Sequence, residues 1–189
     1  MRALVRTVDG VVRRVAGVFE FTQAQGCILR LQRARAPHDL RLADGTTVRK
    51  GEPVLLLHLW NERLPSMGPE GPDLAWAVEM RRRLITSLRE VARWLRDGQC
   101  GEDIRAIGGV TVLLDPADEG GGQRLMRRLG FDVLPYQGPL GRFGEFWENL
   151  YTWWLMWAFN AATLRHRRLL RLRRTEVWIS TQALLERYG

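Results

Sequence analysis

The strongest constraint on the fold is a long helical pattern set between two apolar runs. In residues 74–97, Ala77, Met80, Leu84, Ile85, Leu88, Val91, Ala92 and Leu95 recur at 3.6-residue spacing. Asp73 stands where an N-cap belongs and Gly98 where the helix must stop. Before it, Val54–Trp60 is nearly all apolar, as expected of a strand buried on both faces. After it, Ile107–Leu114 reads as a central strand. A short helix, Gln123–Leu129, stopped by Gly130, and a strand over Phe131–Tyr136 follow. Strands, long helix, strand, short helix and strand in that order predict an α/β fold with a mixed (α+β) sheet.

The residues around this unit extend it. Residues 27–61 read as a β-meander: Cys27–Ala34, then Asp39–Leu42, the hairpin signal Asp44-Gly45, Thr46–Val48 and a Lys50-Gly51 turn. Upstream, Leu4, Val5, Val8, Val11, Val12 and Val15 fall on one face of an amphipathic helix over 2–17. Gly17 and Gly26 bracket a less regular piece, Val18–Gln25. The 189 residues are enough for a single domain with a substantial core. Cys27 and Cys100 cannot build a disulfide framework, and read as free buried thiols of a reducing compartment. The N-terminus lacks the apolar core of a signal peptide, and no apolar run reaches transmembrane length. The expectation is a cytoplasmic protein.

Charge is concentrated at one place. The net charge is +8, and Arg165, Arg167, Arg168, Arg171, Arg173 and Arg174 lie within 161–174 with no acid among them. Without those six the net charge is +2. Such a patch suits phosphate, anionic lipid at the inner membrane face, or nucleic acid. It follows Phe146–Asn160, a helical stretch apolar nearly all round. Five of the eight tryptophans lie in this C-terminal part: Trp147, Trp153, Trp154, Trp157 and Trp178. Two readings stand side by side: a core helix packed on the sheet, or an interfacial helix beside anionic lipid. Stacking on sugar rings is a third. Aromatics and arginines come in consecutive blocks rather than interleaved, which ranks nucleic acid lower.

Chemistry is sought first at the end of the apolar strand, where ligands of open α/β sheets bind. Strand geometry would put His58, Trp60 and Glu62 on one side, with Asn61 and Arg63 opposite. His58 with Glu62 could serve acid–base catalysis, with Trp60 and Asn61 binding ligand. The competing reading is a histidine hydrogen-bonded in the core and a Glu–Arg pair at a strand end. His38 and His166 are remote in sequence, and no metal motif is present. Gly120-Gly121-Gly122 sits among Asp115, Asp118 and Glu119, which favours a surface loop over a phosphate cradle.

Two resemblances add to this. Val110–Val133, with Leu-Gly-Phe at 129–131, looks like the second half of a GNAT-type N-acetyltransferase, and the meander and long helix stand in the right order. The likeness covers 27–136 and leaves 144–189 as a helical C-terminal extension. It implies acetyl-CoA held at the N-terminus of the long helix by a Gln/Arg-x-x-Gly-x-Gly/Ala loop. The matching stretch, Ser66–Asp73, keeps Gly68 and Gly71 but not the motif. Pro69 and Pro72 offer no N–H, and Glu70 and Asp73 are acidic. Leu42–Glu62, and Phe146-Trp-Glu-Asn-Leu-Tyr through Tyr188-Gly189, are similar to the YkoP-like proteins, which occur alone or fused to polysaccharide deacetylases. That likeness adds Trp147, Glu148 and Asn149 as ligand-binding candidates. The expected function is an accessory or ligand-binding protein of envelope polysaccharide metabolism, taking a small molecule or glycan, with no cofactor. The alternatives are an acyl-CoA-dependent acyltransferase and a nucleic-acid-binding protein using Arg165–Arg174.

Overall fold

The computed structural model describes residues 17–66, 73–111, 121–137 and 174–189. Eight strands, β1 (Val18–Phe19), β2 (Leu29–Arg35), β3 (Leu40–Arg41), β4 (Thr47–Val48), β5 (Pro53–Leu59), β6 (Ala106–Thr111), β7 (Asp132–Pro135) and β8 (Thr175–Ser180), are joined by three helices. These are α1 (Leu74–Arg96), α2 (Gly121–Arg128) and α3 (Thr181–Tyr188). A six-stranded sheet has the order β1-β2-β5-β6-β8-β7, and β3 pairs with β4 alone. Only β5 and β6 are parallel neighbours, joined through α1; every other pair is antiparallel. The fold is therefore mixed α/β, as the order of elements predicts.

The helix pattern is realised as one packed face. Leu84, Leu88, Val91, Ala92 and Trp94 of α1 are buried against Leu29, Leu31, Leu55, Ile107 and Ile179, with Leu184 of α3. Each fully buried aliphatic side chain there contributes about 1.5–3 kcal/mol. Ser87, the buried polar residue of α1, is satisfied twice: its Oγ accepts from Ile28 N at 2.8 Å and donates to the Arg83 carbonyl at 2.8 Å. Asp73 caps α1 by accepting from Trp76 N at 2.7 Å, and Gly98 at φ 69° ends it. Cys27 and Cys100 are free and buried.

Among the described residues, the opposite sheet face is covered at one end. There the β3–β4 hairpin lays Leu40, Leu42 and Val48 on Val54, Ala106 and Trp178. The Asp44-Gly45 signal becomes a three-residue loop: Gly45 N bonds Leu42 O, Leu42 N bonds Thr46 O, and Gly45 takes φ 87°. The loop is anchored by Ala43 N donating to Asp132 Oδ2 at 2.8 Å. Trp178 lies across Gly108, where an added Cβ would fall 2.0 Å from the Val177 carbonyl and 2.6 Å from the indole. No other residue fits at 108 with the strands in place.

Three expectations need correction. The C-terminal part is not wholly a helical extension. Residues 175–180 form an interior strand between β6 and β7, because their side chains complete both faces of the sheet. For the same reason Trp178 belongs to the core rather than to an aromatic appendage. Val18–Phe19, inside the stretch read as irregular, is an edge strand on β2. The predicted helices over 2–17 and 146–160, and the arginines from Arg165 to Arg173, lie outside the described residues, as do Trp147, Glu148 and Asn149.

Candidate functional site

Strand register places a row of side chains across the sheet face that the helices leave open. Arg30 pairs with His58, and Val110 pairs with Glu176, which pairs in turn with Leu134. Leu56 pairs with Gly108, so His58 and Val110 stand two residues further on, at the carboxyl ends of two parallel strands. The paired positions of β5 and β6 are Leu55–Ile107 and Leu56–Gly108. Beyond them β5 runs to Leu59 and β6 to Thr111 with no further paired position. Val110 is 44 % exposed although its strand is interior to the sheet. Among the described residues Val110 is thus an exposed apolar position between His58 and Glu176. Ligands of open α/β sheets bind outside the carboxyl ends of strands such as these.

On the β5 side the predicted residues are present but not partnered as expected. His58 Nε2 lies 2.7 Å from Gln32 Oε1, so the ring donates to the carboxamide. Burial, with no charge to oppose it, lowers the His58 pKa, so the ring is neutral near neutral pH. Glu62 is not its partner. The strand stops at Leu59, and Asn61–Arg63 forms a 3-10 turn, which breaks the alternation expected of residues 58–63. Glu62 instead lies 3.5 Å from Arg30, whose other guanidinium nitrogen meets Glu20 at 2.9 Å. Trp60 is buried, with the Arg63 guanidinium 3.4 Å and the Arg30 guanidinium 4.3 Å from its ring centroid. Two guanidiniums thus lie against its ring at the strand end.

The β8 side holds a pair that sequence reading missed. Glu176 is 1 % exposed and accepts from Trp178 Nε1 at 2.9 Å and Gln137 N at 3.1 Å. Both its oxygens lie 3.0 Å from His38 Nε2. His38 Nδ1 faces the Asp39 carbonyl at 3.0 Å, so both ring nitrogens meet acceptors. Burial works against the charged ring, but the Asp39 carbonyl and the Glu176 carboxylate outweigh it, and the His38 pKa is raised. The only sequence signal for this pair was a lone acid, Glu176, in an otherwise apolar strand pattern.

Gln137 bonds Glu176 directly and Arg174 lies two residues before it, its guanidinium 5.7 Å from the Tyr136 ring.

Among the described residues no group of three or more His, Cys, Asp or Glu is placed to hold a metal ion. No described helix is long and apolar enough to cross a membrane. No curated protein and no solved structure matches the chain. The model of the YkoP domain, however, matches residues 1–188, nearly the whole length, and the chain belongs to that family.

Proposed function

We propose that the protein is an accessory, ligand-binding member of its family with an acetyltransferase-like core, and that its ligand enters the crevice over Val110. The observation that carries this is the exposure of Val110 in an interior strand, flanked by polar side chains already held in place. Each charge along the row is met by an opposite one. Arg30 is met by Glu20 and Glu62, Glu176 by His38, and His58 is neutral. A site of this kind favours an uncharged ligand rich in hydroxyl groups over an anion. The family resemblance to proteins fused with polysaccharide deacetylases points the same way, towards a glycan. The antiparallel meander, the long crossover helix and the parting of β5 from β6 support the acetyltransferase-like reading of the core.

Acyl-CoA transfer is the runner-up. Against it stands Asp73, whose carboxylate occupies the Trp76 N–H and brings negative charge to the helix end that would receive a pyrophosphate. Nucleic acid binding through Arg165–Arg174 is a third reading and makes no use of the crevice. The test is titration calorimetry of the full chain with short N-acetylated and de-N-acetylated oligosaccharides, and with acetyl-CoA. Saccharide binding that Val110→Trp abolishes is the expected result. Thermal stabilisation by acetyl-CoA, with no response to saccharides, would overturn the reading in favour of the transferase.

A further inference from the structure

A second surface lies on the helix side of the sheet and is independent of the crevice. Leu74, Val78, Arg81 and Arg89 of α1 occur at i, i+4, i+7 and i+15, one line along the helix, while Ile85 on the same line packs against the core. Leu74 is 81 % exposed and Val78 61 %, and both stand out among the described apolar side chains. Arg81 and Arg89 are exposed, and among the described residues neither has an ion-pair partner. The stripe contains no acid. Glu79 is engaged by Arg82 and Arg83, and the Asp73 carboxylate is turned back onto the Trp76 N–H. The last turn of α3 adds to the same positive region, because the charges of Arg187, Arg81 and Arg89 all act on Tyr188. Arg187 donates to the Arg128 carbonyl at the end of α2, which fixes that turn in place.

Two aliphatic side chains are too few for the core of a protein–protein interface, which needs a far larger buried apolar area. They suit the boundary between headgroups and acyl chains, with unpaired guanidiniums at headgroup height on the same stripe. The spacing fits a helix lying along a surface: at 1.5 Å per residue the stripe is about 22 Å long. We propose that the exposed stripe of α1, with Arg187 of α3, docks the protein onto an anionic membrane surface. Arg165–Arg174 is a separate stretch of the sequence, so the two can be tested independently.

The test is co-sedimentation of the full chain with vesicles of phosphatidylcholine alone and of phosphatidylcholine with phosphatidylglycerol. Binding to the anionic vesicles only is expected, weakening as salt is raised. Arg81→Glu with Arg89→Glu, and separately Leu74→Glu with Val78→Glu, should each weaken it by about tenfold or more. These side chains are exposed or half out of the core, so an unchanged melting temperature checks that the variants fold. Two results overturn the proposal. One is binding lost on Arg167→Glu, Arg168→Glu and Arg171→Glu but unchanged in both α1 variants. The other is a dimer in sedimentation velocity that Leu74→Glu with Val78→Glu dissociates, with no vesicle binding by the parent protein.

Discussion

His38 and His58 face the same side of the sheet and meet opposite electrical conditions. His58 sits in a strand, loses water, gains only the Gln32 carboxamide, and is held neutral. His38 sits in the loop after β2, where burial opposes the charged ring but the Asp39 carbonyl and the Glu176 carboxylate outweigh it and raise its pKa. The nearer carboxylate in sequence, Glu62, pairs with Arg30, while the one 138 residues away closes on His38. What sets a histidine's state here is sheet register, not separation along the chain. His58 stands two residues beyond the last pairing of β5 with β6. His38 is tied to Glu176, which also holds the Gln137 backbone and the Trp178 indole.

The largest expected effect comes from breaking the charged pair. Glu176→Leu leaves the His38 ring, the Gln137 N–H and the Trp178 N–H without their acceptor, and should cost about 3 kcal/mol in urea unfolding at pH 6. Glu176→Gln keeps an acceptor for the two neutral donors and should cost about half as much. A Glu176→Gln variant as stable as the parent would mean that His38 is neutral and the contrast between the histidines does not exist.

The second effect is on pH dependence. The folded pKa of His38 lies above its ordinary value of 6.5, so its contribution is fully present below that pH and is lost as pH rises through the folded value. The folded pKa of His58 lies below 6.5, so its contribution is present above that pH and is lost as pH falls through the folded value. The stability difference between the parent protein and His38→Gln should therefore be widest in mild acid and shrink as pH rises. The difference for His58→Gln should run the other way. Urea midpoints measured from pH 5 to pH 8 decide it, and parallel curves would refute the assignment.

Which parts of this were legible in the sequence follows from the range of the interactions. The period of α1, its Asp73 cap, the Gly98 and Gly130 stops and the Asp44-Gly45 hairpin are local, and the structure has them all. The sequence pattern places β8 within a helical C-terminal extension, beside an arginine run. Its place between β6 and β7 depends on pairing with Ala106–Thr111, some seventy residues upstream in chain order. Once β8 is interior, Trp178 must be core and Glu176 must find a buried partner, neither of which adjacent residues reveal. The end of the β5 side was misjudged for a local reason. Apolar residues run through Trp60, but Asn61–Arg63 turns instead of continuing the strand, with Arg63 N bonded to the Trp60 carbonyl. His58 and Glu62 then no longer follow one alternation.

The smallest effect tests whether His58 serves the fold or the ligand. Its ring is neutral and its one described partner is Gln32, so His58→Leu removes a neutral hydrogen bond and replaces imidazole with an apolar group in a partly buried place. The stability cost should be about 1 kcal/mol or less, since a typical net hydrogen bond is worth that much and the leucine regains apolar burial. Ligand binding should suffer more than stability. A polar group at the edge of a crevice that loses its partner in the complex costs on the order of 1–3 kcal/mol, or roughly tenfold or more in affinity. A His58→Leu protein that melts near the parent temperature yet binds the oligosaccharide at least tenfold more weakly would place His58 in the site. A variant that loses several kcal/mol of stability while keeping its affinity would return His58 to the core and leave Val110 alone as the floor of an unlined groove.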